Sequence, residues 1–163
     1  MDEDKKADQA GNLPEESLIC IPLYVLTKEY INIYKACLKR INLTFTQFIV
    51  MVVLWRKREM RVKEIGKCLF LDSGTLTPVL KKLEAKGFVV RKRSDSDARD
   101  LWVSLTDTGE SLMTEAKMIN ADLRKELRME QVQADRIDEL LRELIQLLAD
   151  GLEKKAGKEM RVF

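Results

Sequence analysis

The hydrophobic period changes at Gly87, and that break constrains the fold more than any other feature of the chain. Before it, Leu76, Leu80 and Leu83 recur at i, i+4 and i+7, and Val79 widens the stripe. That spacing predicts a helix from Ser73 to about Lys86 with one apolar face. Asp72 stands where it can cap this helix, and Gly87 supplies a C-terminal stop. After the break, residues 88–94 (FVVRKRS) are β-branched and basic, and Leu101 to Leu105 (LWVSL) alternate with period two. The polar stretch from Asp95 to Asp100 lies between them, so the pair reads as a β-hairpin.

The segments before and after this core read as helices. Thr44 and Gln47 form a capping box, with Leu43 and Phe48 placed as a hydrophobic staple. The helix they start runs through FIVMVVLW, apolar on all sides and therefore buried. A short helix follows from Val62 to about Leu69, with Arg61 where Ser, Thr or Asp would cap better. Leu71 and Asp72 make a turn. Two short helices, a tight turn and a basic hairpin make residues 43–106 a winged helix-turn-helix with a two-stranded β wing. Thr106 is an N-cap candidate for a helix over 107–127, and a second helix covers 131–156. The latter carries Ile137, Leu140, Leu141, Leu144, Leu147, Leu148 and Leu152 on a broad apolar face. Residues 13–42 form an N-terminal helical segment whose start resembles Asn12 to Glu16. Pro22 interrupts it. Either the helix kinks there, or its regular part begins near Pro22 with Cys20 at the N-terminal end, and the second is preferred. Residues 1–12 read as a disordered tail and 157–163 as a frayed one. The fold class is mainly α.

Net charge alone argues against a nucleic-acid partner, because 29 basic and 27 acidic residues leave only +2 over 163 residues. Its distribution argues the other way. Residues 56–93 hold twelve Lys or Arg against four acids, a local +8, and the remainder carries −6. The absence of His removes the commonest metal ligand and general base. Three widely spaced Cys suggest neither a zinc site nor a disulfide framework. No metal or cofactor is expected. The first residues contain no apolar signal core, and the longest apolar run, Phe48 to Trp55, is far short of the roughly 20 residues that span a bilayer. A cytoplasmic protein with reduced thiols and no membrane partner is expected.

A helix fits the major groove of duplex DNA, where side chains of its first turns reach base edges. Here these are Ser73, Thr75 and Thr77, with Pro78 able to touch a thymine methyl and Gly74 permitting close backbone approach. Lys81 and Lys82 lie further along, near phosphates. The hairpin presents Arg91, Lys92, Arg93 and Arg99, and an arginine at its tip can enter a minor groove. The competing readings are a solvated basic face and, for Pro78, a simple helix kink.

Residues 62–112 (VKEIGKCLFLDSGTLTPVLKKLEAKGFVVRKRSDSDARDLWVSLTDTGESL) closely resemble the DNA-binding core of MarR-type transcriptional regulators, and the layout matches over about 20–150. LDSGTLTP and LTFTQF most resemble the thiol-based sensors of organic hydroperoxides within that family. The resemblance implies a homodimer interlocked through its N- and C-terminal helices, and a wing in which Arg99 enters the minor groove while Asp97 orders the tip. It also implies a reactive thiol near the start of the first helix, close to tyrosines. Cys20 fits, with Tyr24 one turn on and Tyr34 matching a second tyrosine. Phe45 stands where that branch has a third. No Cys follows residue 68, so the chain would be a one-cysteine type, with Cys37 and Cys68 inert.

The leading expectation is therefore a dimeric repressor released from its operator when organic hydroperoxide oxidises Cys20. Its rival for Cys20 is a small apolar residue packed in the dimer interface. A regulator controlled by a small aromatic ligand is the alternative. A thiol peroxidase is disfavoured by the missing His and resolving Cys, so no enzyme is expected. A helical interaction module that never touches DNA is the remaining class.

Overall fold

The computed structural model describes residues 19–93 and 100–156. The wing turn with Asp97 and Arg99, the helix start at Asn12 to Glu16, and both tails lie outside the described residues. The elements run α1 (Cys20–Leu38), a 3-10 turn (Lys39–Ile41), α2 (Phe45–Lys57), β1 (Glu59–Arg61), α3 (Val62–Leu69) and α4 (Ser73–Ala85). They continue with β2 (Val89–Arg93), β3 (Leu101–Leu105), α5 (Asp107–Glu126) and α6 (Gln131–Ala156).

Local chemistry accounts for most of these boundaries. α1 begins at Cys20, so Pro22 falls in its first turn, where an N–H has no intrahelical acceptor to lose. The Thr44 hydroxyl accepts from the Gln47 N–H at 3.3 Å and the Gln47 amide oxygen accepts from the Thr44 N–H at 3.1 Å, which closes the expected box at the start of α2. Thr106 caps α5 by accepting from Gly109 N–H at 3.0 Å. α4 ends in a left-handed glycine, Gly87, at φ +73°. Phe88 N–H reaches back to Leu83 C=O at 3.1 Å and Gly87 N–H to Glu84 C=O at 2.9 Å, so the last carbonyls of the helix are satisfied. The turn between α3 and α4 uses the same bond pattern, with Leu71 N–H on Gly66 C=O at 2.9 Å. There a phenylalanine, Phe70 (φ +53°), takes the left-handed position.

The sheet contains the expected two-stranded wing and extends it by one strand. It has three antiparallel strands in the order β1-β3-β2. The expected hairpin is present, with Val89 opposite Leu105 and Arg93 opposite Leu101. The additional strand pairs Met60 with Val103. Glu59, Met60 and Arg61 are too few and too charged to announce a strand. Their order comes from the backbone of β3 and from burial of Met60.

The core lies where these elements meet. Val50, Met51 and Leu54 of α2, Ile65 of α3, and Leu76, Leu80 and Leu83 of α4 are buried with Val89, Val103 and Ile119. Each such side chain contributes about 1.5–3 kcal/mol on burial. The Trp55 indole N–H donates to Gly109 C=O at 2.8 Å and ties α2 to the first turn of α5. α6 behaves differently. Val132, Ile137, Leu140, Leu141, Ile145, Leu147 and Leu148 are all exposed within the single chain, as are Ile21, Tyr24, Val25 and Leu26 of α1. No single described helix is long and apolar enough to cross a membrane.

Candidate nucleic-acid interface

The N-terminal half of α4 presents the residues read as base-facing. The Asp72 carboxylate caps the helix, accepting from both the N–H and the hydroxyl of Thr75 at 2.9 Å. The Thr75 N–H, then its hydroxyl, hold the Asp72 carboxyl below its ordinary range. Thr75 has thus committed its hydroxyl proton and keeps acceptor lone pairs for an incoming donor. Ser73, Thr75, Pro78, Lys81 and Lys82 are exposed and Thr77 is half-buried. Pro78, Lys81 and Lys82 lie on the side of α4 away from the buried leucines, whereas Ser73 and Thr77, three residues before Leu76 and Leu80, flank the leucine stripe. A Cβ at Gly74 would lie 2.9 Å from the Asp72 carboxylate, so a side chain there would crowd the cap.

The wing divides its cations. Lys92 and Arg93 are exposed, whereas Arg91 is half-buried against α4. The Arg91 Nε and Nη2 donate to Glu84 Oε2 at 2.9 and 2.5 Å, and the Arg91 N–H donates to Glu84 Oε1 at 3.2 Å. Arg91 therefore locks β2 to the end of α4. At the foot of the wing, the Arg61 guanidinium pairs with Asp100 at 3.4 Å and lies 5.1 Å from the Trp102 ring centroid. Sequence reasoning passed over Glu84 and Asp100. The unsuitable cap at Arg61 was the one available signal, since Glu64 caps the Arg61 N–H at 3.3 Å and leaves the guanidinium to the wing.

The three residues read as a sensor are not brought together within the chain. Cys20 is exposed at the first position of α1, whose N-cap, Ile19, makes no side-chain cap hydrogen bond. Tyr24 is exposed one turn on. Tyr34 lies 14 residues along the same helix from Cys20, about 21 Å at 1.5 Å per residue. It is buried, donates its hydroxyl to Asn120 Oδ1 at 2.7 Å, and accepts from Tyr30 at 3.3 Å. Burial, then the Tyr30 hydrogen bond, push the Tyr34 hydroxyl far above its ordinary range, so it stays protonated. Phe45 packs on it edge-on, with ring centroids 5.4 Å apart. Cys68 is half-buried, and burial followed by Glu64 push its thiol upward against a smaller opposing pull from Lys57.

An open groove of about 360 Å³ is lined by Leu127, Arg128, Met129, Gln133, Arg136 and Ile137, all from the α5–α6 elbow and none from the α4 face. Among the described residues, no three His, Cys, Asp or Glu side chains are grouped to hold a metal ion.

This arrangement has relatives. Residues 32–116 match the family described as transcriptional regulator SarA/Rot. The chain is 37% identical over 137 residues to the HTH-type transcriptional regulator SarZ of Staphylococcus aureus, covering 84% of this chain and 93% of that one. It is 41% identical over 101 residues to the organic hydroperoxide resistance transcriptional regulator of Bacillus subtilis, covering 62% and 69%. Among solved structures, AbfR of Staphylococcus epidermidis superposes with a TM-score of 0.72 at 31% identity, covering 83% of this chain and 93% of that one. Reduced AbfR bound to DNA gives 0.70 at 31%, covering 82% and 94%.

Proposed function

Because the chain belongs to the SarA/Rot and MarR group of winged-helix, DNA-binding transcriptional regulators, we propose that it is a homodimeric repressor whose hold on its operator is released by oxidation of Cys20 by an organic hydroperoxide. The observation that carries this reading is the place of Cys20. It sits exposed at the first position of α1, in the exposed apolar stretch that a second chain would cover. The positive end of the helix lies beside the sulfur.

The chemistry is a displacement on the peroxide. The Cys20 thiolate attacks one oxygen of the O–O bond, an S–O bond forms, and the alcohol leaves after taking a proton. Sulfur is oxidised to a sulfenic acid and the peroxide is reduced. A small cellular thiol then forms a mixed disulfide and expels water. Either product adds bulk and polarity where two copies of α1 and α6 would pack. That changes the separation of the two α4 helices, which must match major grooves about 34 Å apart. Tyr34 is about four helical turns from Cys20 of its own chain. A role for Tyr34 at the thiol therefore requires the partner's Cys20 end to lie alongside it.

On the DNA, Ser73, Thr75, Thr77 and Pro78 face bases, Lys81 and Lys82 face phosphates, and Arg93, Asp97 and Arg99 serve the wing. Arg91 acts through its lock on Glu84. Two relatives support the redox part. The Bacillus subtilis protein is named for organic hydroperoxide resistance, and AbfR has been solved in reduced, overoxidised and disulfide forms.

The test uses a duplex that the protein selects from a randomised pool. Limited cumene hydroperoxide should abolish binding by the wild type and leave Cys20→Ser bound. Mass spectrometry should place the added oxygen or thiol on Cys20. Equal release of both proteins would remove Cys20 from the mechanism.

A further inference from the structure

Lys86 is the C-cap residue of α4, and its side chain leaves that helix for a different part of the molecule. Its Nζ donates to the main-chain carbonyl of Asn42 and, at 3.0 Å, to Gln47 Oε1. Both acceptors belong to the junction between α1 and α2. Asn42 is the left-handed residue, at φ +53°, that ends the 3-10 turn after α1. Gln47 is 3% exposed. The same Oε1 accepts the Thr44 N–H that closes the α2 capping box. One ammonium thus joins the end of α4 to the end of α1 and the start of α2. Among the described residues, no other side-chain hydrogen bond ties α4 to α1 or α2.

The remaining packing between α4 and α2 is apolar, through Leu76, Leu80 and Leu83 against the α2 core. Apolar contact is non-directional and tolerates small rotations, whereas hydrogen bonds fix direction as well as distance. α4 has 13 residues and is therefore about 20 Å long. Its base-facing side chains lie at the end opposite Lys86. A small change of angle at the tethered end therefore displaces Ser73, Thr75 and Thr77. Burial, and then the neighbouring Lys82, push the Lys86 ammonium downward, in keeping with a charge drawn partly out of water.

We propose that Lys86 is a positioning residue for operator recognition, which touches no DNA and instead sets the angle of α4 through Asn42 and Gln47. The inference rests on the reading of α4 as the recognition helix.

Full-length Lys86→Met tests it, against the selected duplex and against a random-sequence duplex of equal length, each over a range of salt. Specific affinity should fall about tenfold, with non-specific affinity unchanged. The slope of log K against log salt should also stay unchanged, because no phosphate contact is lost. Lys82→Met should instead weaken both duplexes and make the slope shallower by about 0.9. Lys86→Arg, which can reach both acceptors, should recover most of the specific affinity. A wild-type operator affinity in Lys86→Met, or a slope change like that of Lys82→Met, overturns the proposal. Lys86→Gln decides by the same criterion if Lys86→Met does not fold. Thr77→Ala and Ser73→Ala separate the two readings. If they cost specific affinity and Lys86→Met does not, the tether alone fails. If neither they nor Lys86→Met cost any, the reading of α4 falls and takes the tether with it.

Discussion

Glu84 and Arg91 face each other across the turn between α4 and β2, with two guanidinium nitrogens on one carboxylate oxygen at 2.9 and 2.5 Å. The Arg91 hydrogen bonds hold the Glu84 carboxyl below its ordinary value of 4.5. A depressed carboxylate contributes stability that is present above that value and is lost as pH falls through the folded one. Both side chains keep some exposure, 36% for Glu84 and 20% for Arg91, so the pair is worth about 1 kcal/mol or less. Arg91→Met should therefore lower the urea midpoint modestly at pH 7. The gap to wild type should begin to shrink as pH falls below 4.5 and should close once Glu84 is protonated in the folded protein as well. A gap that persists there would mean that Arg91 acts through packing alone.

Gly109 packs so closely against the main chain before β2 that an added Cβ would lie 2.0 Å from the Phe88 carbonyl oxygen. The contact is backbone to helix, with no flexible side chain to yield. Thr106 N–H also bonds that carbonyl, at 3.1 Å. Gly109→Ala should cost about 3 kcal/mol or more, although alanine is the better helix former. Equilibrium urea unfolding checks it, and a neutral result would show that α5 can move away from the sheet at little cost.

The parts of the fold that were legible in the sequence are those set by local chemistry. Thr44 with Gln47, Asp72, Gly87 and Thr106 each act within a few residues of themselves, and each marks a helix end where the structure has one. β1 was not legible, because Glu59 to Arg61 become a strand only through a partner more than 40 residues later. The charge run 91–93 could not reveal that Arg91 turns inward while Arg93 does not, since Glu84 lies on a different element. The distance between Cys20 and Tyr34 follows from helix length alone. They stand about four turns apart on α1.

Cys68 provides an internal control for thiol chemistry. Burial and Glu64 raise its pKa above the ordinary 9.0, and the thiol form is a poor nucleophile. At pH 7.5 iodoacetamide should label the half-buried Cys68 far more slowly than the exposed Cys20, and the Cys68 rate should go on climbing past pH 9 rather than levelling off there. Peptide mass spectrometry over a time course reads both sites. Equal rates at pH 7.5 would show that α3 opens readily and exposes Cys68.

α6 leaves Ile137, Leu141 and Leu148 exposed at 42%, 38% and 58%, on one stripe at i, i+4 and i+11. Such a stripe on a charged helix is stable in water only if something covers it. A second copy of the chain would supply matching apolar surface from its own α1 and α6. A glutamate in such an interface would leave a buried charge unpaired, at a cost of several kcal/mol, so Leu141→Glu and Leu148→Glu should each shift the protein from dimer to monomer in sedimentation velocity. Operator affinity should fall with the dimer, because one head alone reads one half-site. Non-specific affinity per chain should change little. If both variants sediment as the wild type does, this stripe is not the interface, and the exposed face of α1 from Ile21 to Leu26 becomes the surface to substitute next.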